Sequence, residues 1–171
     1  MAMQSSVSYK FTQRLDAPAR IAYQWCTDYQ PNDLALMHEK GKRNIRWLTK
    51  DTVILREVVH HKGKKIRKVK LVKLNPSDFS WYNVQLSGPN KHSVFVYRLT
   101  SEGANHSRLS FTGLLVEYGP SKLSDHKLRL IARRERLLDA SAWKHLAKAL
   151  HEQTIIQRKE IKLPAKPSPK S

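Results

Sequence analysis

Serine, histidine and acidic residues are the side chains of this sequence that could perform catalysis or bind a metal ion. Ser124, Asp125 and His126 have the residue types of a catalytic triad, but they are consecutive. Neighbours at the start of a helix do not point at one another as a triad requires. The eight histidines match no metal-ligand spacing, and no glycine-rich phosphate loop or Gly-x-Ser-x-Gly motif is present. We therefore name no catalytic residue and predict neither a metal nor a cofactor.

One acidic residue falls on a position that the hydrophobic alternation places on a buried strand face. Glu57 follows Val53 and Leu55 at the two-residue spacing of a strand. A buried carboxylate costs several kcal/mol unless it is paired or hydrogen-bonded. Glu57 is therefore predicted either to pair with a nearby arginine or to contact a ligand, and an apolar pocket would raise its pKa.

Positive charge dominates the composition and is concentrated in one part of the chain. There are 32 Lys and Arg residues against 14 Asp and Glu residues, for a formal net charge of +18. Such an excess favours an anionic partner, either nucleic acid or an acidic membrane surface, and a solvated basic surface is the alternative. The candidate anion-binding residues lie in the basic hairpin, residues 62–73: Lys62, Lys64, Lys65, Arg67, Lys68 and Lys70.

The elements that must position these residues follow from the hydrophobic periodicity. Residues 7–15 alternate between apolar and polar side chains, which predicts a strand with one buried face. Two short helices are predicted next, one beginning near Pro18 and ending near Tyr29, the other running from Asp33 towards Gly41. Six further strands, separated by short turns, are predicted at 45–49, 52–60, 64–74, 79–87, 93–100 and 106–117.

A long amphipathic helix is predicted after the strands. No glycine or proline interrupts the chain from Ser121 to Leu163, and apolar residues recur there at helical spacing. Ser121 or Ser124 can cap this helix. A continuous helix of this length would exceed ~50 Å, so either a break near Asp139 or a projecting end is expected. We predict one α+β domain over residues 1–161 and a disordered basic Pro/Lys/Ser tail over residues 162–171.

The number of cysteines and the hydropathy of the sequence indicate the cellular compartment of the protein. Cys26 is the only cysteine, so no intrachain disulfide can form. The first residues lack the apolar run of a signal peptide, and no stretch approaches the ~18 residues of a membrane span. The sequence therefore predicts a cytoplasmic protein without a transmembrane segment.

The order of these elements resembles that of the START-like helix-grip superfamily, which includes polyketide cyclases and coenzyme-Q-binding proteins. The resemblance covers about Ser6 to Lys159 and rests on an opening strand that runs into Asp16-Ala17-Pro18-Ala19, on Leu74-Asn75-Pro76-Ser77, on Tyr97-Arg98-Leu99 and on Ser107-Arg108-Leu109-Ser110-Phe111. It implies a seven-stranded curved antiparallel sheet wrapped around a long C-terminal helix, with two short helices after the first strand. It also implies an apolar cavity between the sheet and the helix.

The function that this resemblance implies is the binding of a hydrophobic small molecule, such as a lipid, a quinone or a polyketide-like compound. The candidate cavity residues are Trp25, Glu57, Tyr82, Phe95, Tyr97, Phe111, Leu138 and Trp143. Core packing is the alternative for each of them. Two other functions stay open: an RNA- or ribosome-binding module that uses the basic hairpin, and an enzyme of the polyketide-cyclase type.

Overall fold

The computed structural model describes residues 2–162, with side chains through residue 157. The strands are β1 (Met3–Leu15), β2 (Gly41–Thr49), β3 (Thr52–His61), β4 (Lys64–Asn75), β5 (Ser80–Ser87), β6 (Val94–Ser101) and β7 (Ser107–Gly119). The helices are α1 (Ala19–Thr27), α2 (Asp33–Leu36) and α3 (Asp125–Lys162). The predicted set of strands and helices is therefore confirmed.

The seven strands form one antiparallel sheet in the order β1-β7-β6-β5-β4-β3-β2. Each strand from β2 to β7 pairs with its neighbours in sequence through short turns, and β1 closes against β7. Strands β2 to β7 form a meander, and β1 pairs with its last strand, β7. Helix α3 packs against β1 and places Trp143 and Leu150 in the core on the inner face of the sheet.

Strand β2 is longer than the alternation predicts. It begins at Gly41 instead of residue 45, and α2 is a single turn. The extra residues pair with the end of β3, where Gly41 faces Val59 and Arg43 faces Glu57. The backbone pairing with β3 and the Arg43–Glu57 ion pair together account for this extension. The prediction began the strand too late because neither interaction is visible in the local sequence.

The long helix α3 is continuous, so the break considered near Asp139 does not occur. The backbone amide of Lys127 donates to the Ser124 hydroxyl at 3.4 Å, which confirms Ser124 as the capping residue. Asp139 faces the sheet and accepts a hydrogen bond from the Tyr9 hydroxyl instead of interrupting the helix. Residues 163–171 of the predicted tail lie outside the described residues.

The strand pairing of the sheet is irregular at two places. Register shifts occur in β2–β3 between Trp47 and Thr49, and in β4–β5 between Val69 and Lys70. Such bulges bend and twist a sheet. Gly113 pairs in continuous register with Tyr9, and its missing side chain leaves room for the Tyr9 ring.

The buried core forms two clusters on the inner face of the sheet. One gathers α1, the middle strands and the end of α3 around Leu15, Val53, Trp81, Leu109 and Leu150. The other joins β1 and β7 to the first half of α3: Tyr9, Phe11, Phe111, Leu115 and Ala132. Within the described residues, no helix is long and apolar enough to cross a membrane.

Candidate functional site

A cavity of about 390 Å³ lies between the sheet, α3 and the segment that contains α1 and α2. Its volume is within the range of small-molecule sites, about 300 to 1,000 Å³. Helix α1 contributes Trp25, and the α2 segment contributes Leu36 and Met37. The sheet and α3 supply the remaining apolar surface: Leu55, Trp81, Tyr97, Trp143 and Leu146.

Aromatic rings form one wall of this cavity. Trp81 and Tyr97 face each other across β5 and β6, and their rings stack with centroids 4.9 Å apart and planes within 3°. Trp143 on α3 lies 5.7 Å from Tyr97 and 6.3 Å from Trp81, centroid to centroid. Trp25 Nε1 donates to Gln153 Oε1 at 2.6 Å, which joins α1 to α3. The wall is therefore an aromatic surface made of a stacked pair and a third ring tilted by 46–47° to both, and it suits an apolar ligand.

A second cavity of about 540 Å³ lies towards the tip of the basic hairpin. Its apolar lining includes Val59, Ile66 and Phe95, and its charged lining has both signs: Lys62, Lys68, Arg134, Glu39, Glu135 and Asp139. Three side chains, Lys70, Asn83 and Tyr97, line both cavities. We call these three the waist, because the two cavities adjoin there.

A buried ion network lies beside the first cavity. Glu57 is 2% exposed, and its oxygens lie 2.7 Å from an Arg43 guanidinium nitrogen and 2.9 Å from Lys70 Nζ. Arg43 also binds Asp33 at the start of α2, at 2.8 Å. The network contains two cations and two carboxylates, so its formal charges balance, and it ties α2 to the sheet.

The chemistry of Glu57 follows from these partners. Burial disfavours ionisation, but the charges and hydrogen bonds of Lys70 and Arg43 outweigh it and lower the pKa of Glu57 to about 2. Of the two alternatives drawn from the sequence, pairing is the one observed, and the pKa falls instead of rising. Glu57 is therefore ionised near neutral pH and is held by two cations, so it is poorly suited to exchange protons with a ligand.

The waist contains a polar pair within the aromatic surroundings. Asn83 is 7% exposed, and its Nδ2 donates to the Tyr97 hydroxyl oxygen at 3.2 Å. The Asn83 Oδ1 atom is buried and has no hydrogen-bond partner among the described residues. Burial raises the pKa of Tyr97, so its hydroxyl keeps its proton.

One carboxyl group at the second cavity titrates in an unusual range. Asp139 on α3 accepts a hydrogen bond from Tyr9 on β1. Burial, reinforced by the negative charge of Glu135, outweighs this hydrogen bond and raises the pKa of Asp139 to about 6.

The predicted cavity residues other than Tyr82 divide into four groups. Trp25, Tyr97 and Trp143 line the first cavity, and Phe95, Tyr97 and Leu138 line the second. Leu138 contributes only at the rim, because it is 54% exposed. Phe111 is 2% exposed and packs in the core against Tyr9, Phe11, Phe95 and Tyr97. Glu57 belongs to the ion network, and contact of any of these residues with a ligand stays a prediction.

Tyr82 is misplaced by the sequence prediction. It is 44% exposed and lies on the outer face of the sheet opposite Val96, whereas its neighbours Trp81 and Asn83 are buried. Successive side chains of a strand point to opposite faces, so the buried position of Trp81 excludes Tyr82 from the cavity. The correct wall residue on this strand is Trp81.

The candidate anion-binding residues also divide between an exposed group and an inward-facing group. Lys62, Lys64, Lys65 and Arg67 are exposed near the tip of the hairpin. Lys68 and Lys70 are partly buried on the inner face, where they line the second cavity, and Lys70 is paired with Glu57. Grouping Lys70 with the exposed cations was therefore wrong, because strand alternation sends it inward.

Sequence reasoning missed several residues that line the cavities. Arg43 was outside the predicted strand, and Asn83 lies on a strand whose other face is the more apolar one. Asp139 was considered only as a helix break. Within residues 2–157, no group of three or more metal-ligating side chains could hold a metal ion.

Comparison with known proteins supports the fold but gives no sequence match. No family model and no curated protein matches this sequence. The structure is similar to the Zhui aromatase/cyclase from Streptomyces sp. R1128, with a TM-score of 0.72 and 16% identity over 88% of this chain and 96% of the other. It is also similar to a START superfamily protein from Mycobacterium smegmatis, with a TM-score of 0.62 and 16% identity over 85% and 95%.

A third similar structure is Ara h 8.0201, with a TM-score of 0.64 and 8% identity over 86% of this chain and 99% of the other. All three similarities extend over most of both chains at low identity, so what they share is the fold. The seven-stranded sheet, the two short helices and the long C-terminal helix are thus those of the START-like helix-grip fold.

Proposed function

We propose that this protein binds a hydrophobic small molecule in the cavity between the sheet and α3. The observation that carries the proposal is the aromatic wall of Trp81, Tyr97 and Trp143 beside a partly open cavity of about 390 Å³. A helix that only packed a core would bring its side chains against the sheet and leave no space of this size. A lipid, a quinone or a polyketide-like compound would fit this description.

The fold comparisons support this proposal at the level of the ligand class only. One similar structure is named as an aromatase/cyclase and another as a START superfamily protein. A cyclase-type reaction would use the same cavity, but Glu57 is held ionised between two cations and is an unsuitable acid or base. Glu57 therefore gives a cyclase-type reaction no support, and the function that we propose is ligand binding.

Two measurements test this proposal. Native mass spectrometry of freshly purified protein should show a co-purified apolar compound as a discrete added mass. After the ligand is stripped, Nile red, a neutral apolar fluorophore, should bind in a saturable 1:1 manner, and Trp143→Ala should weaken its binding because the variant loses part of the wall. A folded, stripped protein that binds no Nile red would contradict the proposal.

A second candidate function is the binding of an anionic surface, most simply RNA, by the tip of the basic hairpin. The observation that favours it is the exposure of Lys64, Lys65 and Arg67. None of the three takes part in an ion pair with another described residue.

The cytoplasmic location predicted from the sequence stays a prediction.

A further inference from the structure

The waist between the two cavities contains a buried acceptor that the fold leaves unpaired. Asn83 projects from the inner face of β5, between Trp81 and Gln85 in the alternation, and only 7% of it is exposed. Its Oδ1 finds no hydrogen-bond partner within residues 2–157, although its Nδ2 donates to Tyr97. More than nine in ten buried polar groups in proteins are paired, so this atom is an exception that requires an explanation.

The Tyr97 hydroxyl provides the complementary half of this site. Its oxygen accepts from Asn83, and its proton is retained, so the O–H can donate. If the Asn83 amide were turned by 180°, Tyr97 would donate to Oδ1, and the amide nitrogen would become the free donor. In both orientations the pair therefore keeps one donor and one acceptor that no described residue uses, and a ligand group meets the buried acceptor when the Asn83 side chain turns towards the cavities that it lines.

The ion network beside the waist offers no unpaired cation to an anionic group at this position, and the cations of the second cavity, Lys62, Lys68 and Arg134, lie among the carboxyl groups of Glu39, Glu135 and Asp139. Lys70, the third waist residue, is already paired with Glu57 at 2.9 Å, and Arg43 balances Asp33 at 2.8 Å. A carboxylate at the waist would gain no unpaired cation from this network, and it has no proton to give to the Asn83 oxygen. A neutral group that both donates and accepts a hydrogen bond fits better, and a hydroxyl is the smallest such group.

We propose that the waist selects ligands with a neutral hydroxyl group, which donates to Asn83 and accepts from Tyr97 while the apolar body of the ligand lies against Trp81 and Trp143. This inference rests on the proposed binding function and specifies the ligand class as an uncharged phenol or alcohol. Asn83 and Tyr97 are then the residues that determine specificity.

Three probes of nearly equal size test this inference: 2-naphthol, 2-methylnaphthalene and 2-naphthoate, each competing with Nile red for the ligand-stripped protein. Two hydrogen bonds that the methyl compound cannot make should give 2-naphthol an affinity about tenfold or more higher. The naphthoate should bind more weakly than 2-naphthol, because it is charged and cannot donate.

Two variants and a matched control test whether the preference for 2-naphthol depends on the waist residues. Asn83→Leu keeps the branched shape and the number of side-chain heavy atoms and removes the polar atoms, so it should abolish the preference for 2-naphthol while retaining 2-methylnaphthalene. Tyr97→Phe should reduce the preference, and it provides a second test if the Asn83 variant does not fold. Tyr82→Phe removes a hydroxyl from the outer face of the same strand and should leave all three affinities unchanged.

The outcomes separate this inference from the proposed function. If Nile red and 2-methylnaphthalene bind but 2-naphthol has no advantage, or if Asn83→Leu keeps that advantage, the hydroxyl specificity is wrong and the hydrophobic site stands. If neither Nile red nor any of the three probes binds the folded protein, both proposals are wrong.

Discussion

At the scale of single residues, the stability of the protein depends on the partners of its buried polar side chains. Glu57 is stabilised by two cations, the Asn83 oxygen has no partner, and Asp139 is a carboxyl group whose pKa is raised by burial. Each of these states follows from neighbours that are distant in sequence. Each also predicts a different response to substitution or to pH.

Glu57→Gln should destabilise the protein by about 3 kcal/mol at pH 7, because it leaves Arg43 and Lys70 buried without their carboxylate. The folded pKa of about 2 lies below the ordinary value of 4.5, so the stabilising effect of Glu57 is complete above about pH 4.5 and is lost as the pH falls towards 2. Urea unfolding of both proteins across this range measures the difference.

The control for Glu57→Gln is Glu102→Gln, which removes a partly exposed partner of Arg108. Such a pair contributes less than about 1 kcal/mol. Equal losses in the two variants would show that the buried network does not stabilise the fold.

Asp139→Asn should stabilise the protein by about 1 to 3 kcal/mol above pH 6, since asparagine can still accept from Tyr9 and needs no buried charge. The folded pKa of about 6 is higher than the ordinary 3.8, so wild-type stability should fall as the pH rises from about 4 to 6. The two proteins should therefore become equally stable below about pH 4. Greater stability of the wild type at pH 7 would contradict this assignment.

At the scale of elements, close contacts between strands and α3 shape the inner face. Gly113 in β7 pairs with Tyr9 in β1, and a Cβ atom at Gly113 would lie 2.6 Å from the Tyr9 ring. Tyr9 in turn bonds to Asp139 on α3. A single glycine thus allows a strand, its neighbour and the helix to meet.

Gly113→Ala should destabilise the protein by about 1 to 3 kcal/mol, because the Tyr9 ring must move out of a packed position. The loss should largely disappear in a Tyr9→Ala background, where the ring is absent. Thermal and urea unfolding of the two single variants and the double variant form a double-mutant cycle. A loss of equal size in both backgrounds would mean that strand propensity at Gly113, and not contact with Tyr9, sets the effect.

At the scale of the whole molecule, the excess positive charge lies on the outer surface, whereas the cavity lies on the inner side of the sheet. The net charge of +18 is carried largely by exposed side chains, whereas the inner ion network is balanced. An anionic partner would therefore meet the outside of the protein, and a hydrophobic ligand would occupy the inside.

If the tip of the basic hairpin contacts phosphates, RNA binding should weaken steeply with salt, because neutralised phosphates release counterions. Changing Lys64, Lys65 and Arg67 to Gln should reduce the slope of log K against log salt by about two to three units. The matched control changes Lys127, Arg129 and Lys144 on α3, which are also exposed, to Gln. Equal slopes for the two triple variants would show that the hairpin has no special role.

The architecture could be predicted from the sequence because its signals are local. Alternation marked the strands, turn residues separated them, and a long stretch without glycine or proline marked α3. Short connections made an antiparallel meander the simplest topology. Pairing was one of two outcomes predicted for Glu57, since a buried carboxylate requires a partner.

Only the tertiary structure decided which face of each strand meets the cavity and which charges pair there. On β5 the more apolar side chains, Tyr82, Val84 and Leu86, face outward, while Trp81, Asn83 and Gln85 face inward. Alternation shows that a strand has two faces, but the stacking of Trp81 on Tyr97 selects the inner one. Arg43, Lys70 and Asn83 come together at the cavity through pairings between strands, and pairings of this kind are not encoded in any local pattern.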